Sequence, residues 1–120
     1  MNVEFFRDYC LSKKGAEETF PFDETTLVFK IGNKMFCLIG LENADRCNLK
    51  CEPEKAIELR QQYESIVPGW HMSKTHWNTV YFNMDVSDKL IFELIDHSYE
   101  LVYNSLPKKI KTEIDEIQEL

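Results

Sequence analysis

At 120 residues, with 43% hydrophobic and 12% aromatic side chains, the chain is long enough for one core and too short for two, and this balance excludes a disordered or fibrous protein. A net charge of −7, from 14 basic and 21 acidic residues, works in bulk against nucleic acid and acidic membrane surfaces. No run of about 18 apolar residues spans a bilayer, and Met1-Asn2-Val3-Glu4 lacks the basic-then-apolar layout of a signal peptide, so a cytoplasmic protein with no membrane association is expected.

Asn2 is a good N-cap for a first helix in which Phe6, Tyr9, Cys10 and Lys13 recur at helical spacing, with Gly15 as its C-terminal cap. A short extended segment over residues 16–20 carries Glu17 and Glu18 and runs into Pro21, which cannot continue a ladder and marks a turn around Phe22-Asp23. Residues 25–31 and 34–41 are rich in β-branched and aromatic side chains, and Gly32-Asn33 between them is a two-residue hairpin signal. That loop sets Phe29 opposite Phe36 and Leu27 opposite Leu38. These four with Ile31 then form one apolar face, and Val28, Lys30, Met35, Cys37 and Ile39 the other. A one-residue slip would group Phe29 with Cys37 instead. A further strand over residues 47–51 points Leu49 away from Asn48 and Lys50.

Pro53 at the first helical position and Glu54 beside it start a second helix, with a stripe of Ala56, Leu59, Tyr63 and Ile66 that ends at Pro68-Gly69. From Trp70 the chain reads as irregular until a strand over residues 78–83. Ser87 then caps a third helix that buries Ile91, Leu94, Ile95, Leu101 and Val102 and stops at Leu106-Pro107. Ile110, Ile114 and Ile117 suit one more short amphipathic helix, which needs a surface to dock on. The organisation expected is a single α+β domain over residues 1–109 followed by an amphipathic tail over residues 110–120.

Cys10, Cys37, Cys47 and Cys51 read as reduced thiols in a chain without an export signal. On a strand, Cys47 and Cys51 stand about 13 Å apart, too far for a disulfide or a shared metal, so no metal and no cofactor is expected. There is no glycine-rich phosphate loop or nucleophile elbow. Glu93, His97 and Glu100 share a helix face without a matching half-site elsewhere, so they read as a charged stripe, and the expectation is a protein that is not an enzyme.

The densest polar run is His71-Met72-Ser73-Lys74-Thr75-His76-Trp77-Asn78-Thr79-Val80, which apolar periodicity does not explain. Charge is also uneven. Residues 26–83 hold seven Lys or Arg against six Asp or Glu, whereas the flanks hold seven against fifteen, so the acidity is peripheral.

Glu17 through Phe22, Val28-Phe29-Lys30, Asn48-Leu49-Lys50-Cys51, Pro53-Glu54, Leu59-Arg60, Pro68-Gly69 with His71-Met72, Lys74 with His76-Trp77-Asn78-Thr79-Val80, Ser98-Tyr99 and Leu106-Pro107-Lys108-Lys109 follow one another as they do in the MmcQ/YjbR family, which the chain resembles from about Glu4 to Lys109. Asp23, Ser73 and Trp70 depart from that pattern. The resemblance implies a frataxin-like (CyaY-like) α+β fold, with an antiparallel sheet of four to six strands backed by N-terminal and C-terminal helices. It also implies a DNA-binding protein of the double-wing type.

On that reading Lys30, Lys34, Lys50, Arg60, His71, Lys74, His76 and Asn78 supply phosphate contacts and Trp77 and Trp70 stacking surfaces, giving weak, salt-sensitive binding. Lys50, just ahead of the second helix, is also a candidate for an anion site at that helix's N-terminus. Against this stands a core role for Trp77, structural hydrogen bonding for the two histidines, and a strand-edge guard at Lys30. The alternative is a protein- or small-ligand-binding adaptor that uses the sheet face left free of helices, with Val28, Lys30, Met35 and Cys37 on it. A monomer or weak dimer is expected.

Overall fold

The fold is that of a computed structural model in which residues 1–117 are described; residues 118–120 of the expected tail lie outside the described residues. In chain order the elements are α1 (Val3–Leu11), β1 (Glu17–Thr19), β2 (Thr26–Ile31), β3 (Lys34–Gly40), β4 (Arg46–Lys50), α2 (Pro53–Gln62), β5 (Ile66–Pro68), β6 (Trp77–Tyr81), α3 (Asp88–Ser105) and α4 (Lys108–Asp115). The six strands form one antiparallel sheet in the order β1-β2-β3-β4-β6-β5. The helices gather on one face, so the protein is α+β as expected, with an inner layer behind the sheet and an open outer face.

Local signals place the helices. The Asn2 side chain accepts the Phe5 N–H at 2.9 Å and the Ser87 hydroxyl accepts the Leu90 N–H at 3.1 Å, each satisfying an otherwise unpaired donor of a first turn. Phe6 of α1 packs on Phe29 and Phe82, with centroids 6.2 and 5.6 Å away, and Ile91, Ile95 and Val102 of α3 complete the same core. The tail helix docks on its own domain. Ile114 is buried, the Tyr103 hydroxyl donates to the Asp115 carboxylate at 2.7 Å, and a side chain at Gly32 would meet Leu106 Cδ1 at 2.7 Å.

The β2–β3 hairpin begins as expected and then changes register. Gly32 and Asn33 both have positive φ, as a tight mirror-image turn requires, and Ile31 pairs with Lys34 and Lys30 with Met35. A bulge then intervenes between Phe29 and Lys30, so Phe29 pairs with Cys37, Val28 with Leu38 and Leu27 with Ile39. The pairing of Phe29 with Phe36 is thereby corrected, and so are the faces. Cys37 and Ile39 belong to the inner core, Phe36 stays there with them, and Leu38 joins Val28 on the outer side.

At the bulge Ser98 of α3 stands in for a missing rung. Its hydroxyl donates to the Phe36 carbonyl and accepts the Lys50 N–H at 3.0 Å, so two main-chain groups that the bulge separates are both satisfied. A second correction concerns α2, which ends at Gln62; Ile66 belongs to the edge strand β5, paired with Val80. Tyr63 is extended and the β-branched pair Ile66-Val67 favours a ladder over a helix.

Candidate functional site

The open face is set by register. From β2 to β6 it presents Val28 and Lys30, then Leu38 and Met35, then Arg46, Asn48 and Lys50, then Tyr81, Thr79 and Trp77. Residues 69–76 cross this face as a strap. Gly69 N–H donates to the Trp77 carbonyl at 2.8 Å and Trp77 N–H donates to the Ser73 carbonyl at 2.9 Å, closing the strap on the start of β6. A side chain at Gly69 would meet Trp77 Cβ at 2.8 Å, so only glycine permits this approach.

Asn48 and Thr79, facing each other across β4 and β6, hold the strap from beneath. Thr79 Oγ1 donates to Asn48 Oδ1 and accepts the Trp70 N–H at 3.0 Å, and Asn48 Nδ2 reaches the Trp70 carbonyl at 3.5 Å. His71 has φ 57°, a left-handed conformation that histidine adopts more readily than most residues. That turn sends Met72 down onto Val28, Leu38 and Trp77 while Trp70 stays out, 55% exposed. From α2, Arg60 donates to the Lys74 carbonyl at 2.9 Å and anchors the far end of the strap.

Two hollows flank the strap and meet at Phe22. The first, about 380 Å³, has Leu38, Asn48, Thr26 and Thr79 on its floor and Phe22, Arg46, Trp70, His71 and Met72 around it. The Arg46 guanidinium lies 5.4 Å from the ring centres of both Trp70 and Tyr81, and donates to the Tyr81 hydroxyl at 3.0 Å. The second, about 470 Å³ and shallower, is ringed by Lys30, Lys34 and Lys50 with Phe22, Met35 and Trp77. Acidic groups border both. Glu17 faces Lys30 across β1 and β2, and Asp23, Glu42 and Asp45 line a hollow on the other side of Arg46.

The expected site residues divide accordingly. Lys30, Lys50 and Trp77 come together, although Trp77 is 7% exposed and offers an edge rather than a free ring. His71 lines the first hollow. Lys74 and His76 are exposed on the strap, and the His76 carbonyl accepts the Cys51 N–H at 2.8 Å. Arg60 is occupied by main-chain carbonyls. Asn78 faces the opposite way, 1% exposed, its amide donating to the Ala56 carbonyl at 3.3 Å.

The suggested anion site at the start of α2 is corrected by the same geometry. Lys50 pairs with Trp77 on the outer face while α2 lies behind the sheet, and the Glu52 N–H donates instead to His97 Nε2 at 3.2 Å. His97 is therefore a structural acceptor rather than part of a solvated stripe. Sequence reading missed Phe22 and Arg46, and named Trp70 beside Trp77 as a stacking group. The pairing of Arg46 with Tyr81 was the one available signal, and it needs the β4–β6 register to be seen.

All four cysteines are buried, and burial pushes the Cys37 and Cys47 thiols well up and Cys51 up to about 11. Among the described residues no group of three or more His, Cys, Asp or Glu side chains is placed to hold a metal ion, and no helix is long and apolar enough to cross a membrane.

Comparison with known proteins matches residues 11–101 to the family model described as YjbR. Uncharacterized protein YjbR of Escherichia coli K12 is 34% identical over 110 residues, covering 91% of this chain and 93% of the relative. Uncharacterized protein YbdF of Escherichia coli O157:H7 is 42% identical over 95 residues, covering 78% of each. A crystal structure of the Deinococcus radiodurans protein DR2400, a DUF419 domain, superposes with a TM-score of 0.89 at 37% identity, covering 99% of this chain and 91% of that one. A Pseudomonas syringae crystal structure has a TM-score of 0.71 at 30% identity, covering 85% and 99%.

Proposed function

This chain belongs to the YjbR family, and from that premise we propose that it is a non-catalytic module that binds DNA through the open face of its sheet. One observation carries the reading: Lys30, Lys34 and Lys50, from three successive strands of the sheet, ring one hollow beside Phe22 and Trp77 in a molecule whose net charge is −7. Phosphate contacts supply most of the affinity of such a surface, and three lysines amid surrounding acidity make it weak and salt-sensitive. The double-wing resemblance fits a face flanked by the β2–β3 hairpin and the strap. Arg60 and Asn78 serve the scaffold in this reading, and Lys74, His71 and His76 stand at the margin.

The test is fluorescence anisotropy of labelled DNA at 50 and 200 mM salt with the wild type and with a Lys30→Glu, Lys50→Glu double variant. Salt-sensitive binding at micromolar protein that the double variant loses supports the proposal. Absence of such binding removes it.

The first hollow favours a second reading, an adaptor for a small planar ligand, because about 380 Å³ lined by aromatic rings and a few polar groups is the size and character of a ligand pocket. Calorimetry with free nucleotides tests it.

A further inference from the structure

We infer that the nucleic acid recognised is single-stranded, with one unstacked base seated in the hollow between Phe22 and Trp70 and the neighbouring phosphates on the three lysines. The inference rests on the DNA-binding reading and narrows its substrate class.

Three observations lead to it. Phe22 and Trp70 are 62% and 55% exposed, an unfavourable placing for large apolar rings unless a partner covers them, and both rim the same hollow. Bases present such rings with a flat face of matching size, and stacking on them tolerates any sequence. The floor beneath is polar. Asn48 and the hydroxyls of Thr26 and Thr79 line it; their bonds to one another, to Trp70 and to Asp23 leave the second Asn48 N–H and spare oxygen lone pairs to meet a base edge. The lysine hollow shares Phe22 with the first, which places cations next to the stacking site, where a strand's backbone would pass.

The surroundings exclude a duplex. Bases in a duplex are stacked on their neighbours and do not enter a recess between two projecting rings. A second strand would also run into Asp23, Glu42 and Asp45, which border Arg46, and Glu17, which faces Lys30. Like charges there confine the site to a few nucleotides. With three lysines neutralising phosphates, and about 0.7 of a counterion released per phosphate on a single strand, the logarithmic salt slope is about −2, or roughly a 15-fold loss between 50 and 200 mM.

The experiment compares three labelled probes of one length: an oligothymidine strand, the same backbone with abasic sites throughout, and a duplex. Each is titrated against the wild type, Trp70→Ala and Trp70→Phe. The expected order is oligothymidine tightest, with abasic and duplex probes at least tenfold weaker, and Trp70→Ala abolishing the preference while Trp70→Phe retains most of it. Equal binding of all three probes, unchanged by Trp70→Ala, overturns the seated base yet leaves DNA binding intact. Binding of none overturns both.

Discussion

Trp77 and Asn78 are neighbours on β6 that serve opposite sides of the sheet: the indole packs with Val28, Leu38 and Met72 on the open face, and the amide donates to the Ala56 carbonyl behind it. Trp77 is therefore support for the strap, whereas Trp70, on the strap itself with Arg46 against its ring, stays 55% exposed and has surface left to meet a partner. The two tryptophans should separate in their effects. Trp77→Ala removes a buried aromatic side chain and is expected to cost about 3 kcal/mol of stability. Trp70→Ala is expected to stay within about 0.5 kcal/mol of the wild type while weakening DNA binding. Urea unfolding of both variants checks this, and a Trp70→Ala protein as destabilised as Trp77→Ala contradicts it.

Ser98→Ala leaves the Phe36 carbonyl and the Lys50 N–H without their shared partner at a buried bulge. A loss of about 1–3 kcal/mol is expected. Hydrogen exchange at the Lys50 amide should quicken more than at Leu49, whose N–H faces β6, where its pairing with Asn78 is untouched.

His97 predicts a pH dependence. Burial, and next the nearby Lys55, holds its imidazole below the ordinary value of 6.5, against the opposing pull of Glu52 and Glu100. Because the folded state binds the proton less well than the unfolded state, stability from this residue is complete above pH 6.5 and is lost as pH falls through the lower folded value. Urea midpoints for the wild type should drop between pH 7 and pH 5 by more than those of His97→Gln. Parallel behaviour of the two proteins counts against the Glu52 contact.

The buried thiols should be inert in the native state. With Cys51 pushed up to about 11 and Cys37 and Cys47 raised by burial, little thiolate exists at pH 8, and none of the four side chains is accessible. A thiol-specific chromogenic reagent should react slowly with the folded protein and rapidly with four equivalents in urea.

Arg60→Ala should loosen the strap without unfolding the domain. The lost bond to the Lys74 carbonyl is partly exposed, so a cost of about 1 kcal/mol is expected. Amide exchange at Trp77, which donates to Ser73 inside the strap, should accelerate.

Much of this architecture is legible residue by residue. Asn2 and Ser87 announce helix starts because their side chains can accept a first-turn N–H, and Gly32-Asn33 announces a hairpin because both positions tolerate positive φ. The bulge is hidden because Phe36 and Cys37 are adjacent apolar residues and either can face a core. Ile66 is ambiguous for a related reason, since it lies on the α2 stripe and also begins a β-branched pair. The open-face site is the least legible. Phe22, Arg46 and Trp70 come from a turn, a strand and the strap, and nothing local marks them as neighbours. Arg60 and Asn78, polar residues in a polar region, look like contact groups until their main-chain partners are known.

Both margins of the sheet are only three residues long, one carrying Glu17 and Glu18 and the other ending in Pro68, which has no N–H to give. Little main chain is offered to an incoming strand, so fibre-like growth by edge addition is discouraged at either side. Whatever this molecule engages must be met through side chains, and crowding copies together should leave them discrete.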